Sequence, residues 1–554
     1  MKRKLLIFII LVFTVFLGSC GKGTHQHADR VVVGIPEDVA LFNPLFTLSV
    51  DAANIADLLY LSLVEFDWNS TQGTLVPKPM LAKKWEWNKD STSLTFYLRD
   101  DVQWTDGVKF TSDDVVFSFD VYSDPDVQSR LYGTFKNLYA DKKDHIDIKK
   151  TFDVISPYEF TIHFLPNSNP KLYDVIFPII PKHIFGKLER KNIPTAEENF
   201  HPVSDGPFAL DKWNKNQNII LKADPKSFLY NAANIPELIF KVVPDYTARV
   251  TQLKKGEIDL MELIRPDDLP DIKKNQNISI ASVEGREYDY VGWNNIDPKA
   301  FKKDKALIPN KYFGDPKVRI ALTHAINRKE ILENYMLNYG KLASGPISPI
   351  FKGIIDTAIT PYKYDVDLAK RLLSEDGWKD TDNDGIIDKN GSDFRFKLYI
   401  PSGNPLRSYS ATVVKNNLKA VGIDAEIETI ELGTFIDNLY DKSMDAWIVA
   451  WYIPIPVELK VYWYSDISTT PLNFISYKNK QADMLLDEME KRHSEEDQKR
   501  IYSNFQQIIH KDEPVTFLYW KDNITGYNSA IKNIDINPLG VVHYCWNWSI
   551  KSNE

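Results

Sequence analysis

The first twenty residues decide where this chain folds, and so what can hold the fold together. Lys2-Arg3-Lys4 precedes Leu5–Leu17, a run that is apolar almost throughout. That run is shorter than the roughly 20 residues a bilayer-spanning helix needs, so residues 1–19 read as a secretory leader. It ends in Leu17-Gly18-Ser19-Cys20, which has the form of a lipobox: small residues before a cysteine that is diacylated and becomes N-terminal on cleavage. Residues 20–29 are then a short polar tether. The chain has two cysteines, Cys20 and Cys545. With lipid on Cys20, Cys545 has no partner, so the body must hold itself by packing, without an intramolecular disulfide, even in an oxidising compartment. No other apolar run approaches the length of a membrane span, which predicts a body anchored to a membrane and not crossing it.

A chain of 554 residues divides into two to four structural units. Its 67 Lys and Arg against 76 Asp and Glu give a net charge of −9. Loss of Lys2, Arg3 and Lys4 with the leader takes the body to −12, and with no basic stripe nucleic acid is excluded as a partner. Strand-like and helix-like segments alternate. Arg30–Pro36, Leu94–Leu98, Glu159–Phe164, Ile423–Ile430 and Ala446–Trp451 have strand patterns. Helix patterns cover a segment starting at Thr111-Ser112, a continuous stretch Pro316–Met336, Asp365–Asp376 closed by Gly377, Asn404–Val421 closed by Gly422, and Ser494–Ile509. The class is α/β, with mixed sheets in more than one lobe.

Signatures of chemistry are missing. There is no GxxxxGK[ST], GxSxG, HExxH or CxxC, and Gly21-Lys22-Gly23 is not a dinucleotide loop. His25-Gln26-His27 lies in the tether and reads as polar linker. Asp380, Asp382, Asp384 and Asp388 stand at the spacing of a calcium loop around Gly385, but Gly391 occupies the place of its last, bidentate acid. An Asp-rich turn is the rival reading. A two-carboxylate hydrolase is not excluded by inspection. No cofactor is expected.

Several segments, in order along almost the whole mature chain, resemble the family 5 solute-binding proteins of peptide ABC transporters, the oligopeptide- and dipeptide-binding group. They include Phe42-Asn43-Pro44-Leu45, LLYLSLVEFD (58–67), LVPKPMLAKKWEW (75–87), LTFYLRDDVQWTDGVKFTSDDVVFSFD (94–120) and SDGPFAL (204–210). VVPDYTARVTQLKKGEIDL (242–260), YVGWNN (290–295), DPKVRIALTHAINRKEIL (315–332), DLAKRLLSEDGWKDTDNDGI (367–386) and AVGIDAEIE (420–428) follow. The resemblance implies a type II periplasmic-binding-protein fold with a hinge between two lobes. Lobe I would take 30–55, 201–285 and 521–554, an inserted domain 56–200, and lobe II 286–520. It implies a lipid-anchored monomer that does no chemistry, captures oligopeptides between its lobes outside the cytoplasm, and delivers them to an ABC permease and its ATPases. Family members for sugars, nickel complexes or other solutes are the alternative, nickel being disfavoured by the scattered histidines. An exported hydrolase and a peptide sensor are more distant ones.

In that group the peptide's ammonium meets an Asp three residues after a Trp. Here the strand reads Ala450-Trp451-Tyr452-Ile453-Pro454, so the Asp position is Pro454, which has neither charge nor donor. Glu458, or Glu37 and Asp38 in the first crossover, are the candidate substitutes. Trp451 and Tyr452 would form the cleft's aromatic wall. Asn473 would present an amide to the ligand, and Tyr288 and Tyr290 would lie near the hinge, facing the cleft.

Overall fold

The computed structural model describes residues 29–550; the leader and Cys20 lie outside them. Its central element is an 11-stranded mixed sheet. The strands are β1 (Arg30–Ile35), β2 (Phe208–Asn214), β3 (Asn218–Ala223), β4 (Glu237–Val242), β5 (Leu260–Met261) and β6 (Ile278–Trp293). They continue with β7 (Gly340–Leu342), β8 (Arg395–Pro401), β9 (Asp424–Ile430), β10 (Ala446–Tyr452) and β11 (Val515–Asn528). The spatial order is β9-β8-β10-β6-β11-β5-β1-β4-β3-β2, with β7 on β11.

Strands β6 and β11 are long because each serves both halves of this sheet. Ile278–Glu284 of β6 pairs with Asp522–Asn528 of β11, in the half that holds β1 to β5. Tyr288–Gly292 pairs with Val515–Trp520, in the half that holds β8, β9 and β10. Between Glu284 and Tyr288 the register shifts. Gly285 lies in that gap, where a Cβ would stand 2.1 Å from the Lys521 carbonyl oxygen; the crossing brings the two backbones that close. The chain order β6, β8, β9, β10, β11 and the separate cores on each side give the two-lobed type II periplasmic-binding fold. One core surrounds Val291, Trp293, Phe313, Leu398 and Phe396, and another Val32, Leu253, Ile258 and Ile264.

Residues between β1 and β2 build a further body, with a four-stranded antiparallel sheet (Ala82–Trp87, Ser93–Leu98, Glu159–His163, Phe152–Ser156) and a hairpin (Val64–Asn69, Thr74–Pro79). The helix Ser112–Tyr122 packs on it and starts as its sequence predicts, the Asp114 carboxylate accepting from the Thr111 N–H at 3.0 Å. This inserted region meets the later half of the chain at the Asp67 carboxylate, which accepts from the Tyr544 hydroxyl at 2.5 Å, and at two further places. Lys352 Nζ donates to the Ser70 carbonyl at 2.7 Å and the Gly353 N–H to the Gln72 carbonyl at 2.8 Å. Arg492 Nη1 donates to Ser91 Oγ at 2.7 Å, and Asn169 Nδ2 to the Glu490 carbonyl at 3.1 Å.

One helix differs from its sequence pattern. The stretch Pro316–Met336 is two helices, Pro316–Ala325 and Arg328–Asn334, parted by an extended Ile326. Asn327 makes the break, its side chain accepting from the Glu330 N–H as an N-cap, a local bond that competes with helix continuation. No helix among the described residues is long and apolar enough to cross a membrane.

Candidate functional site

Strand β10 ends in a half-buried Trp451 and a half-exposed Tyr452 at the crossing of the sheet halves. Trp451 stacks on Phe474 (5.1 Å between ring centres) and packs on Tyr462 (4.5 Å). Behind it stand Tyr288 and Tyr290, each 1% exposed. Tyr288 packs on Trp520 at 4.7 Å and Phe517 at 5.5 Å. Tyr288 pairs with Trp451 across the strands and Tyr290 stacks on it at 6.5 Å, so alternation puts both rings on the Trp451 face, where they line a small cavity with Trp451, Tyr462 and Phe474.

The expectation for Asn473 is corrected. It is wholly buried; its Nδ2 donates to the carbonyls of Tyr464 and Tyr477, both at 2.9 Å, and its Oδ1 accepts from the Tyr477 N–H at 3.0 Å. Its amide is spent on its own loop. Asp38 is spent likewise, accepting from Trp213 Nε1 at 3.0 Å, the Asn216 N–H at 2.7 Å and the Val39 N–H at 2.9 Å. Glu37 is exposed and within electrostatic reach of Asp51. Glu458 is exposed beside Tyr462. In the Asp-rich loop, Asp388 turns to Thr381, accepting from its N–H at 2.9 Å and its Oγ1 at 2.7 Å, while Asp384 pairs with Arg395 at 3.1 Å. Asp380, Asp382 and Asp384 remain as an exposed group of three.

The structure assembles charged groups that no local motif announces. The helix Val50–Leu59, capped by Ser49, carries Asp51 and Asp57, and the next strand carries Glu65. Glu262 follows β5. Burial raises all four carboxyls: Asp51 upward, Asp57 to about 6, Glu262 to about 7 and Glu65 to about 8. Mutual repulsion adds to it, Glu37 acting on Asp51, Asp51 on Glu262, and Asp57 with Asp67 on Glu65, while Arg130 opposes the rise at Asp57. Asp57 keeps an exposed side chain all the same. Nearby, Leu48, Val50 and Leu263 are 94%, 74% and 69% exposed, far more than isolated core-forming residues need be.

At the crossing itself, neighbouring residues of β6 take different partners. Arg286 Nη1 donates to the Ile453 carbonyl at 3.0 Å and Nη2 to the Tyr452 hydroxyl, with the guanidinium 4.3 Å from the Tyr452 ring centre. Glu287, the cross-strand partner of Tyr452, joins an ionic set around the buried Asp289. Lys521 lies 2.5 Å from Glu287 and 3.2 Å from Asp289, and Arg407 lies 3.4 Å from Asp289. Burial works against the Lys521 ammonium, but Asp289 and Glu287 outweigh it and hold its pKa above the ordinary value. Beside the ionic set a cavity of 280 Å³ opens between Leu263–Pro266 and the loop Gly403–Leu406. A separate cavity of 470 Å³ lies between Trp87–Lys89 and Met489–Tyr502 and shares no lining residue with these walls.

Two strands thus cross between the halves of the sheet, with Glu262 within electrostatic reach of Tyr452 at the crossing. The model of the bacterial extracellular solute-binding proteins, family 5 (middle region), matches residues 76–471. The chain belongs to that family. Among family 5 relatives, the oligopeptide-binding protein AppA of Bacillus subtilis is 28% identical over 570 residues, covering 99% of each chain. The solved structure of AppA with a nonapeptide superposes with a TM-score of 0.72 at 27% identity, covering 94% of this chain and 99% of that one. NikZ of Campylobacter jejuni, solved with Ni(L-His), gives a TM-score of 0.74 at 25% identity, covering 95% and 100%. Family 5 consists of binding proteins, and its members work outside the cytoplasm with ABC permeases.

Proposed function

We propose that this chain is the capture subunit of an ABC importer for peptides, a monomer tethered outside the membrane by lipid on Cys20. One observation carries the reading. Asp51 lies within electrostatic reach of Glu262, and Glu262 of Tyr452 at the strand crossing, while the exposed apolar side chains Val50 and Leu263 adjoin these acids in the chain. A peptide offers the complement, with an ammonium, apolar side chains and an extended backbone. The likeness to AppA supports the same reading. Ligand that touches both lobes favours the closed arrangement, which is the form a permease would receive. Ligand-facing acids elsewhere in the cleft take the place of the charge that Pro454 lacks.

The test is to purify the protein from cells without denaturation, unfold it, and identify what is released by mass spectrometry. A spread of short peptides is expected. A single non-peptide solute would replace the substrate and keep the fold; Pro454 and the likeness to NikZ favour that second reading. A nickel complex held by a histidine cluster is not favoured, because among the described residues the acidic group Asp380, Asp382 and Asp384 is the one candidate cluster.

A further inference from the structure

Arg286 stands at the junction of the sheet halves with its charge unanswered. The acids around it on β6 are engaged elsewhere: Glu284 with Lys341, Glu287 with Lys521, and Asp289 with Lys521 and Arg407. Among the described residues, no carboxylate pairs with Arg286, and its Nε is buried without an acceptor. Its partners are neutral, the Ile453 carbonyl and the Tyr452 hydroxyl. The next residue, Pro454, brings no charge and no N–H. Arginine does not shed its proton, so a guanidinium held largely out of water lacks a counter-ion until one arrives. Burial accordingly works against its charged form. Its planar fork is matched by a carboxylate. Tyr173 of the inserted region, 44% exposed and within electrostatic reach of both Arg286 and Arg130, brings a second hydroxyl from across the cleft.

We infer that Arg286, with the Tyr452 hydroxyl, anchors a carboxylate of the bound ligand at the hinge end of the cleft. The ligand is then dipolar, its anion at Arg286 and its cation toward Asp51 and Glu262. For a peptide, the anion is either the C-terminal carboxylate or an acidic side chain. The inference rests on the peptide reading above for this last step only.

The protein, freed of carried ligand, is mixed with synthetic peptides of three to nine residues in three sets: free C-termini, C-terminal amides, and amides carrying one Glu. Retained species are identified after gel filtration and ranked by calorimetry. Wild type should hold free acids at least tenfold more tightly than plain amides; recovery by the Glu-bearing amides would assign the anion to a side chain. Arg286→Gln should abolish the preference and Arg286→Lys keep part of it, with melting temperatures checked for each. Equal retention of acids and plain amides by wild type, which needs no variant, overturns the inference, as does a preference that survives Arg286→Gln. Citrate and glucose separate the two readings. If no peptide binds but citrate does, and Arg286→Gln loses it, the peptide reading falls and the anchor stands. If only glucose binds, or nothing does, both fall.

Discussion

Glu65 shows how a single cleft residue couples proton binding to stability. Desolvation, with repulsion from Asp57 and Asp67, lifts its carboxyl from 4.5 to about 8. Between those values the folded protein binds more proton than the unfolded chain, so stability falls as pH rises through this window and is level above it. Glu65→Gln mimics the protonated form. Its stability advantage over wild type, read from urea midpoints at pH 5, 6, 7 and 8, should therefore grow with pH, by at most about 1.4 kcal/mol per unit. A gap independent of pH would show that Glu65 does not titrate in this range. A cationic ligand works the other way, favouring the ionised acids, so its affinity should rise over the same window. None of this was legible in the sequence. Glu65 lies in LLYLSLVEFD, where nothing marks it as a cleft acid; Asp51, Asp57, Glu262 and Arg286 lie in no motif, and these residues meet only because distant segments fold together. The readable residues mislead for the same reason: Asp38 looks available until Trp213 and Asn216, far along the chain, take its oxygens.

At the scale of elements, the two crossing strands are the sensitive part. Gly285→Ala forces a Cβ against the Lys521 carbonyl. It should cost about 1–3 kcal/mol in denaturant unfolding and weaken ligand binding by displacing the strands. Lys521→Met leaves Asp289, 0% exposed, with Arg407 as its remaining partner. Removing one member of a buried ionic set of this kind costs about 3–5 kcal/mol, which thermal and chemical melts would detect; a loss within about 0.5 kcal/mol would mean that Arg407 suffices. Most elements were readable, because alternation and caps are local: β1, β9 and β10 follow their patterns, and Ser494, Asp365 and Asn404 cap helices where their types suggest. The break at Ile326 was not readable, since the apolar stripe runs on across it while the Asn327 cap interrupts the backbone. Strands β6 and β11 were hidden for another reason. Each changes neighbours midway, which leaves no mark on its own sequence.

For the whole molecule, closure is held at two rims, Ser70–Gln72 against Lys352–Gly353 and Ser91–Asn169 against Glu490–Arg492. Lys352→Ala with Arg492→Ala removes two side-chain links and leaves both cores intact. The radius of gyration without ligand should increase in small-angle scattering, and affinity should fall by up to about thirtyfold at an unchanged melting temperature, since each of the two exposed links contributes on the order of 1 kcal/mol. An unchanged radius would mean that the backbone contacts hold the rims alone. Cys20→Ser should abolish metabolic labelling with a fatty acid and release the protein from membranes; retained labelling would place the lipid elsewhere.

The position of β11 has one more consequence, for assembly. It lies between β6 and β5 and joins the two halves of the sheet, yet it follows every other strand of that sheet in the chain. A chain made or exported N-terminus first presents β1 to β5 early, with β5 left as an open edge. The strands from β6 to β10 emerge afterwards in one stretch, and the start of β11 completes their half directly. The earlier half waits for the far end of the same strand, and until it arrives the unpaired edge is exposed to proteases and to other chains. This late strand is thus also the lock of the sheet, and a product cut short before Lys521 should be cleared, not merely weakened.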